Sequence, residues 1–199
     1  MIPRRLVLAT ANRGKTAEMA ELLCEWGPID VLDLESFPGL SCPEERGTTY
    51  AENAVAKATA VAAATGLPAL ADDSGLEVDA LDGAPGVYSA RYAGPGTSDG
   101  ERVAKLLGEV AHVPLDRRSA RFRCVVAIAW PGAGVETAEG ECRGRLAIAP
   151  SGVRGFGYDP VFVSDDLGRT FADASAAEKQ RVSHRARAVR ALGERLRRP

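Results

Sequence analysis

Residues 69–76 read Ala-Leu-Ala-Asp-Asp-Ser-Gly-Leu, an apolar run that ends in two adjacent carboxylates, Asp72 and Asp73, before the small pair Ser74-Gly75. A second alternating run, Leu76-Glu77-Val78-Asp79-Ala80-Leu81, follows at once. The pattern predicts a strand, a tight turn at Ser74-Gly75 and a second strand. Successive strand residues face opposite ways, so only one of the two aspartates can look into a given cavity. A carboxylate beside buried strands is costly unless it is paired, hydrogen-bonded or bound to a cation. Metal binding meets that demand. An ordinary acidic strand end reaching solvent meets it equally well.

The rest of the chain alternates helix-like and strand-like segments. Arg5-Leu6-Val7-Leu8-Ala9 reads as a buried strand, followed by a helical pattern through Met19, Leu22, Leu23 and Trp26, then a strand over 29–34. Thr49-Tyr50-Ala51-Glu52 is a capping box that opens a helix with an apolar stripe through Ala51, Ala54, Val55, Ala58, Val61 and Ala62. A helix over 99–110, a central strand over 121–130 and its hairpin partner over 134–148 follow, then a glycine-rich stretch and a strand over 160–163. Ser175 to Glu178 form a second capping box, and Ala186, Val189, Leu192 and Leu196 mark a last amphipathic helix. Such a mixture of strand–helix units and long hairpins is an α/β chain with a mixed sheet, and 199 residues fit a single domain.

Four scattered cysteines and two histidines argue against zinc or a disulfide scaffold, so a metal here should be a hard cation held by oxygen, such as magnesium. No apolar run reaches the roughly 18 residues of a membrane span, so a soluble, cytoplasmic protein with no membrane partner is expected. The net charge of −2 gives no general attraction for polyanions. After Glu178, however, come Lys179, Arg181, Arg185, Arg187, Arg190, Arg195, Arg197 and Arg198, opposed only by Glu194. A basic end of this kind either binds nucleic acid or is a solvated helix face.

Five constellations can carry chemistry. Thr10-Ala11-Asn12-Arg13-Gly14-Lys15 joins a strand's end to a helix start, where exposed amides and a lysine attract phosphate; an ordinary N-cap is the plain alternative. Asn53 and Lys57 share one helix face, either toward solvent or toward the acidic segment. Glu45, on the loop before that helix, can join Asp73 around a cation or simply solvate its loop. Phe156-Gly157-Tyr158-Asp159 offers flat surfaces and an acceptor to a heterocyclic base, or else two core aromatics in a turn. Lys179 and Ser183-His184-Arg185 can face one cavity if the helix breaks and Ser183 becomes a new N-cap.

Together these segments resemble the inosine triphosphate pyrophosphatase family. The matching pieces are 10–15, 45–53, 71–75, 83–92, 156–160 and 183–185, in family order across nearly the whole chain. The resemblance implies an elongated mixed β-sheet with helices on both sides, two lobes around a central nucleotide-binding cleft, and a homodimer. It implies that Thr10 to Lys15 hold the triphosphate of a purine nucleotide and that Asp73 is general base and magnesium ligand. Glu45 would be a second metal carboxylate. Lys15 and Lys57 would shield the leaving pyrophosphate. Ser74, Phe156, Gly157, Tyr158, Asp159, Lys179, His184 and Arg185 would contact the rest of the substrate. The expected reaction takes ITP, dITP or XTP to the monophosphate and pyrophosphate, with no nucleic acid as partner. A non-catalytic purine nucleotide sensor and a pyrophosphatase for other modified triphosphates are the rival readings. One departure stands out: Ala186 follows His-Arg where many relatives have glycine.

Overall fold

The computed structural model describes residues 1–198. Its strands are β1 (Arg5–Leu8), β2 (Asp30–Leu32), β3 (Ala69–Val78), β4 (Ser119–Ala129), β5 (Val135–Leu146) and β6 (Phe162–Ser164). They form one sheet in the order β2-β1-β3-β4-β5-β6. β1 pairs in parallel with β2 and β3, while β5 and β6 are antiparallel, so the sheet is mixed. The helices are α1 (Arg13–Leu23), α2 (Tyr50–Thr65), α3 (Asp99–Glu109), α4 (Ala176–Val182) and α5 (His184–Arg197).

The expected turn at Ser74-Gly75 is absent: β3 runs unbroken from Ala69 to Val78. Only Ser74 and Glu77 along it are not buried, and the Leu76 amide donates to the Ser89 hydroxyl at 2.9 Å. A small Ser-Gly pair suits a turn, but it equally suits a strand that other groups approach closely, and here packing decides. The helix signals are met. Thr49 and Glu52 cap α2 reciprocally, as Ser175 and Glu178 do for α4. The chain breaks at Ser183, whose extended backbone (φ −67°, ψ 152°) separates α4 from α5.

Residue contacts divide the chain into two compact units. The first holds Met1–Asp73, Cys124–Gly140 and His184–Pro199, and its core joins Leu6, Leu8, Met19, Leu22, Ile128 and Leu192. The second holds Ser74–Arg123 and Glu141–Ser183. Its core is built on an aromatic cluster in which the Phe122 and Phe162 rings meet edge-on at 4.7 Å and Phe171 lies 5.1 Å from Phe162. Arg118 is buried in the second unit and donates to the carbonyls of Val113, Ala147 and Ala111. Among the described residues no helix is long and apolar enough to cross a membrane.

Candidate active site

The first unit brings together most of the charged residues singled out from sequence. Asp72 and Asp73 project from opposite sides of β3, as strand geometry requires. Asp72 lies on the side of the core residue Leu70, where it meets α1 and α5. Lys15 Nζ is 3.1 Å from Asp72 Oδ2, and Arg185 donates to the same oxygen from Nε at 3.1 Å and Nη2 at 3.0 Å. Arg185 Nη1 in turn binds the Glu18 carboxylate. Burial on its own would raise the Asp72 carboxyl, but Lys15, Arg185 and Lys57 outweigh it and hold it far below the usual carboxylate range.

Asp73 meets α2 instead. The Asn53 amide nitrogen donates to Asp73 Oδ2 at 2.8 Å, and the Asn53 amide oxygen accepts from the Gly47 N–H at 2.7 Å. A side chain at Gly47 could not fit: its Cβ would lie 2.7 Å from Asn53 Oδ1 and 2.8 Å from Glu52 Cβ. The glycine thus lets the 44–47 loop close on α2 and brings Glu45 near the strand. Lys57 Nζ binds Glu45 Oε1 at 2.5 Å and the Asp72 carbonyl at 2.7 Å. It is buried among carboxylates rather than facing solvent, and although burial pulls its ammonium down, Asp72 and Glu45 more than compensate and raise it. Asp73 is raised, first by burial and then by the neighbouring Glu45 charge, with Lys57 and Asn53 offsetting only part.

The helix start behaves as an N-cap and leaves donors over. Asn12 Oδ1 accepts from the Lys15 amide at 3.1 Å, and the Thr10 hydroxyl accepts from the Asn12 amide at 3.2 Å. The amides of Arg13 and Gly14 find no acceptor among the described residues, as the first turn of a helix leaves them. A pocket of about 810 Å³ opens beside this segment, lined by Thr10, Ala11 and Arg13 on one side and Phe37, Leu40 and Cys42 on the other. Arg13 itself is exposed, with a loose pair to Glu35 at 3.4 Å. The Cys42 thiol is raised, chiefly by burial.

The segment Phe156-Gly157-Tyr158-Asp159 lies in the second unit and forms its own closed turn. Asp159 Oδ2 accepts from the Phe156 amide at 2.9 Å and from Lys179 Nζ at 2.5 Å. Gly155, at φ 74°, leaves room for that carboxylate, which a Cβ there would meet at 2.0 Å. Lys179 Nζ stands 5.0 Å from the Phe156 ring centroid and 5.3 Å from that of Phe171. The Gly157 amide donates to Asp99 Oδ2 at 2.6 Å. Tyr158 packs in the core and donates its hydroxyl to the Ser89 carbonyl at 3.0 Å, so its ring is not offered to a ligand. Ser74 is partly exposed on β3, and His184 is buried at the first position of α5.

Two features are visible only in three dimensions. The family resemblance implies that Arg185 touches substrate, yet it is 1% exposed and its guanidinium lies between Asp72 and Glu18. No sequence motif marks Glu18; the one available signal is that Lys15 and Glu18 stand one helical turn apart. The arginine-rich end is also largely occupied within the first unit: Arg190 binds Glu25, Arg195 the Thr137 carbonyl, and Arg197 the Glu25 carbonyl. Among the described residues no group of three or more His, Cys, Asp or Glu side chains converges as a metal cage.

The model of the Ham1 family matches residues 6–195 of this chain. The chain is 51% identical over 194 residues to the dITP/XTP pyrophosphatase of Desulforamulus reducens, covering 98% of this chain and 96% of that one. It is 50% identical to the dITP/XTP pyrophosphatase of Geobacter sulfurreducens, with 96% of each covered. Among solved structures, a HAM1 protein from Coxiella burnetii superposes with a TM-score of 0.86 at 41% identity over 98% of each chain.

Proposed function

The chain belongs to the Ham1 family, and on that premise we propose that it hydrolyses the non-standard purine triphosphates dITP, XTP and ITP to the nucleoside monophosphate and pyrophosphate. The names of its relatives, dITP/XTP pyrophosphatases, support the substrate class. The observation that carries the chemistry is Lys57, which binds Glu45 Oε1 at 2.5 Å and the Asp72 carbonyl at 2.7 Å and so holds Glu45 beside the stretch of β3 that bears Asp73.

A divalent cation fits Asp73 and Glu45. Both are hard oxygen donors, and Asp73 is raised first by burial and then by the Glu45 charge, a repulsion that a bound cation would relieve. Asp73 and Glu45 would hold the cation, and magnesium suits a site that offers one or two carboxylates. Held there, such a cation would supply positive charge against the negative charge that develops on the phosphate oxygens.

The chain's own groups supply the rest. The free amides of Arg13 and Gly14 and the Lys15 ammonium receive the phosphates. Asp73 accepts a proton from the water that attacks the α-phosphorus. Asn53 orients that carboxylate through its hydrogen bond. Lys57 holds Glu45 in place and adds positive charge as the pyrophosphate leaves. In the second unit, Lys179 and Asp159 form an adjacent donor and acceptor. A 6-keto purine presents the complement, an acceptor at O6 and a donor at N1. Adenine reverses both and would leave buried polar groups unmatched. The proposal includes Ser74 and His184 as substrate contacts, a homodimer, and work in the cytoplasmic nucleotide pool.

Pyrophosphate release from dITP, XTP, ITP, dUTP and ATP, measured with magnesium and with EDTA, tests the reading. We expect fast release from the keto purines, loss in EDTA, and rates on ATP lower by about 100-fold or more. Binding of ITP without any release would identify a sensor instead, and preference for dUTP a different pyrophosphatase.

A further inference from the structure

Lys15 and Glu18 stand one turn apart on α1, at the two ends of a chain of alternating charges. Lys15 Nζ meets Asp72 Oδ2 at 3.1 Å, Arg185 grips the same oxygen with Nε and Nη2, and Arg185 Nη1 meets the Glu18 carboxylate. All four side chains belong to the first unit. Two positive and two negative groups leave this chain neutral as it stands.

Two cations therefore share one carboxylate oxygen. If Lys15 serves a triphosphate, the arriving nucleotide draws its ammonium charge away from Asp72. Asp72 is fully buried, and a buried carboxylate deprived of its only cation is strongly disfavoured. Arg185 removes that obstacle because it stays behind. A guanidinium suits this role because its planar fork can bind Asp72 along one edge and Glu18 with the remaining nitrogen, which a lysine cannot. We propose that Glu18 is a positioning residue, which anchors the far end of Arg185 so that Asp72 stays compensated while Lys15 passes to the triphosphate. The inference rests on the proposed contact between Lys15 and the triphosphate. Glu18 does not touch substrate in this scheme and acts only through Arg185 and Asp72.

The sign of the effect separates this role from simpler ones. Glu18 is an anion near a site for polyanions, so removing its charge would tighten nucleotide binding if long-range electrostatics were its only influence. A purely structural glutamate would lower the melting temperature and leave KM alone. Steady-state hydrolysis of dITP with magnesium should be compared in the intact protein, Glu18→Gln, Lys15→Ala and the double variant. Glutamine keeps the shape and an acceptor but not the charge. We expect KM to rise about tenfold in Glu18→Gln, with kcat changed by less than a factor of about three. In the Lys15→Ala background the same change should add nothing to KM. An unchanged or lowered KM in Glu18→Gln, or an equal rise when Lys15 is absent, overturns the proposal while leaving the hydrolase reading intact. If Lys15→Ala itself leaves KM and kcat unchanged, the triphosphate contact fails and takes this inference with it. Should Glu18→Gln melt below the assay temperature, Arg185→Lys replaces it, with the same KM rise expected and an unchanged KM as the contrary result.

Discussion

Asp72 and Asp73 are chemically identical neighbours with opposite surroundings. Asp72 is enclosed by Lys15 and Arg185, and its charged form is favoured despite complete burial. Asp73 is nearly as buried, and there burial first and the Glu45 charge second disfavour the charged form, with Lys57 and the Asn53 amide offsetting only part. One residue of displacement along β3 reverses the electrostatic sign because the strand's two sides meet different helices. The first aspartate holds a positive cluster together. The second is only partly compensated by the lysines near it, the condition under which a carboxylate takes up a proton or a cation.

Substitutions that remove each charge sharpen the contrast, and the largest effect is expected on turnover. Asp73→Asn should lower kcat for dITP by about 10²–10⁴-fold, the range for losing a general base. Pyrophosphate release at saturating dITP measures it, and near-normal turnover would remove Asp73 from that role. Asp72→Asn should act on the fold instead. Leaving Arg185 and Lys15 without their carboxylate should cost about 3–5 kcal/mol, the usual range for breaking a buried ion pair. Urea unfolding reads that loss, and a change within error would mean the cluster is already compensated elsewhere. Lys15→Ala should raise KM for dITP with a smaller change in kcat, since Asp72 keeps Arg185. Equal effects on both constants would move the lysine's role to the transition state. Arg190→Ala, at the exposed pair with Glu25, should cost less than about 1 kcal/mol. A larger loss would give the arginine-rich end a weight in stability that its exposure does not suggest.

Much of this arrangement is legible in the residues. The capping boxes at Thr49 and Ser175 and the break at Ser183 depend on local hydrogen bonds, which four consecutive residues suffice to specify. The opposite facing of Asp72 and Asp73 follows from the pleat alone. The continuity of β3 through Ser74-Gly75 is not legible, because a Ser-Gly pair is compatible with both a turn and a close-packed strand. Arg185 and Glu18 are opaque for another reason. They are 167 residues apart in sequence, and only the pairing of α5 with α1 brings them together. Tyr158 admits two readings, and its hydroxyl bond to Ser89 decides for the core.

The division of labour on β3 is tested most directly by thermal stability without divalent cation, comparing the intact chain with Asp73→Asn between pH 4 and pH 8. The Asp73 pKa is raised above the ordinary aspartate value of 3.8, so its contribution to stability is fully present below that value and lost as the pH rises through the folded pKa. At neutral pH the ionised group is therefore a burden on the fold. Asparagine can still accept from Asn53 and carries no charge against Glu45. We predict that Asp73→Asn melts at or above the intact protein at pH 8, with the advantage shrinking toward pH 4. A variant that melts below the intact protein at pH 8 would contradict this, because Asp73 would then be a stabilising charge like its neighbour.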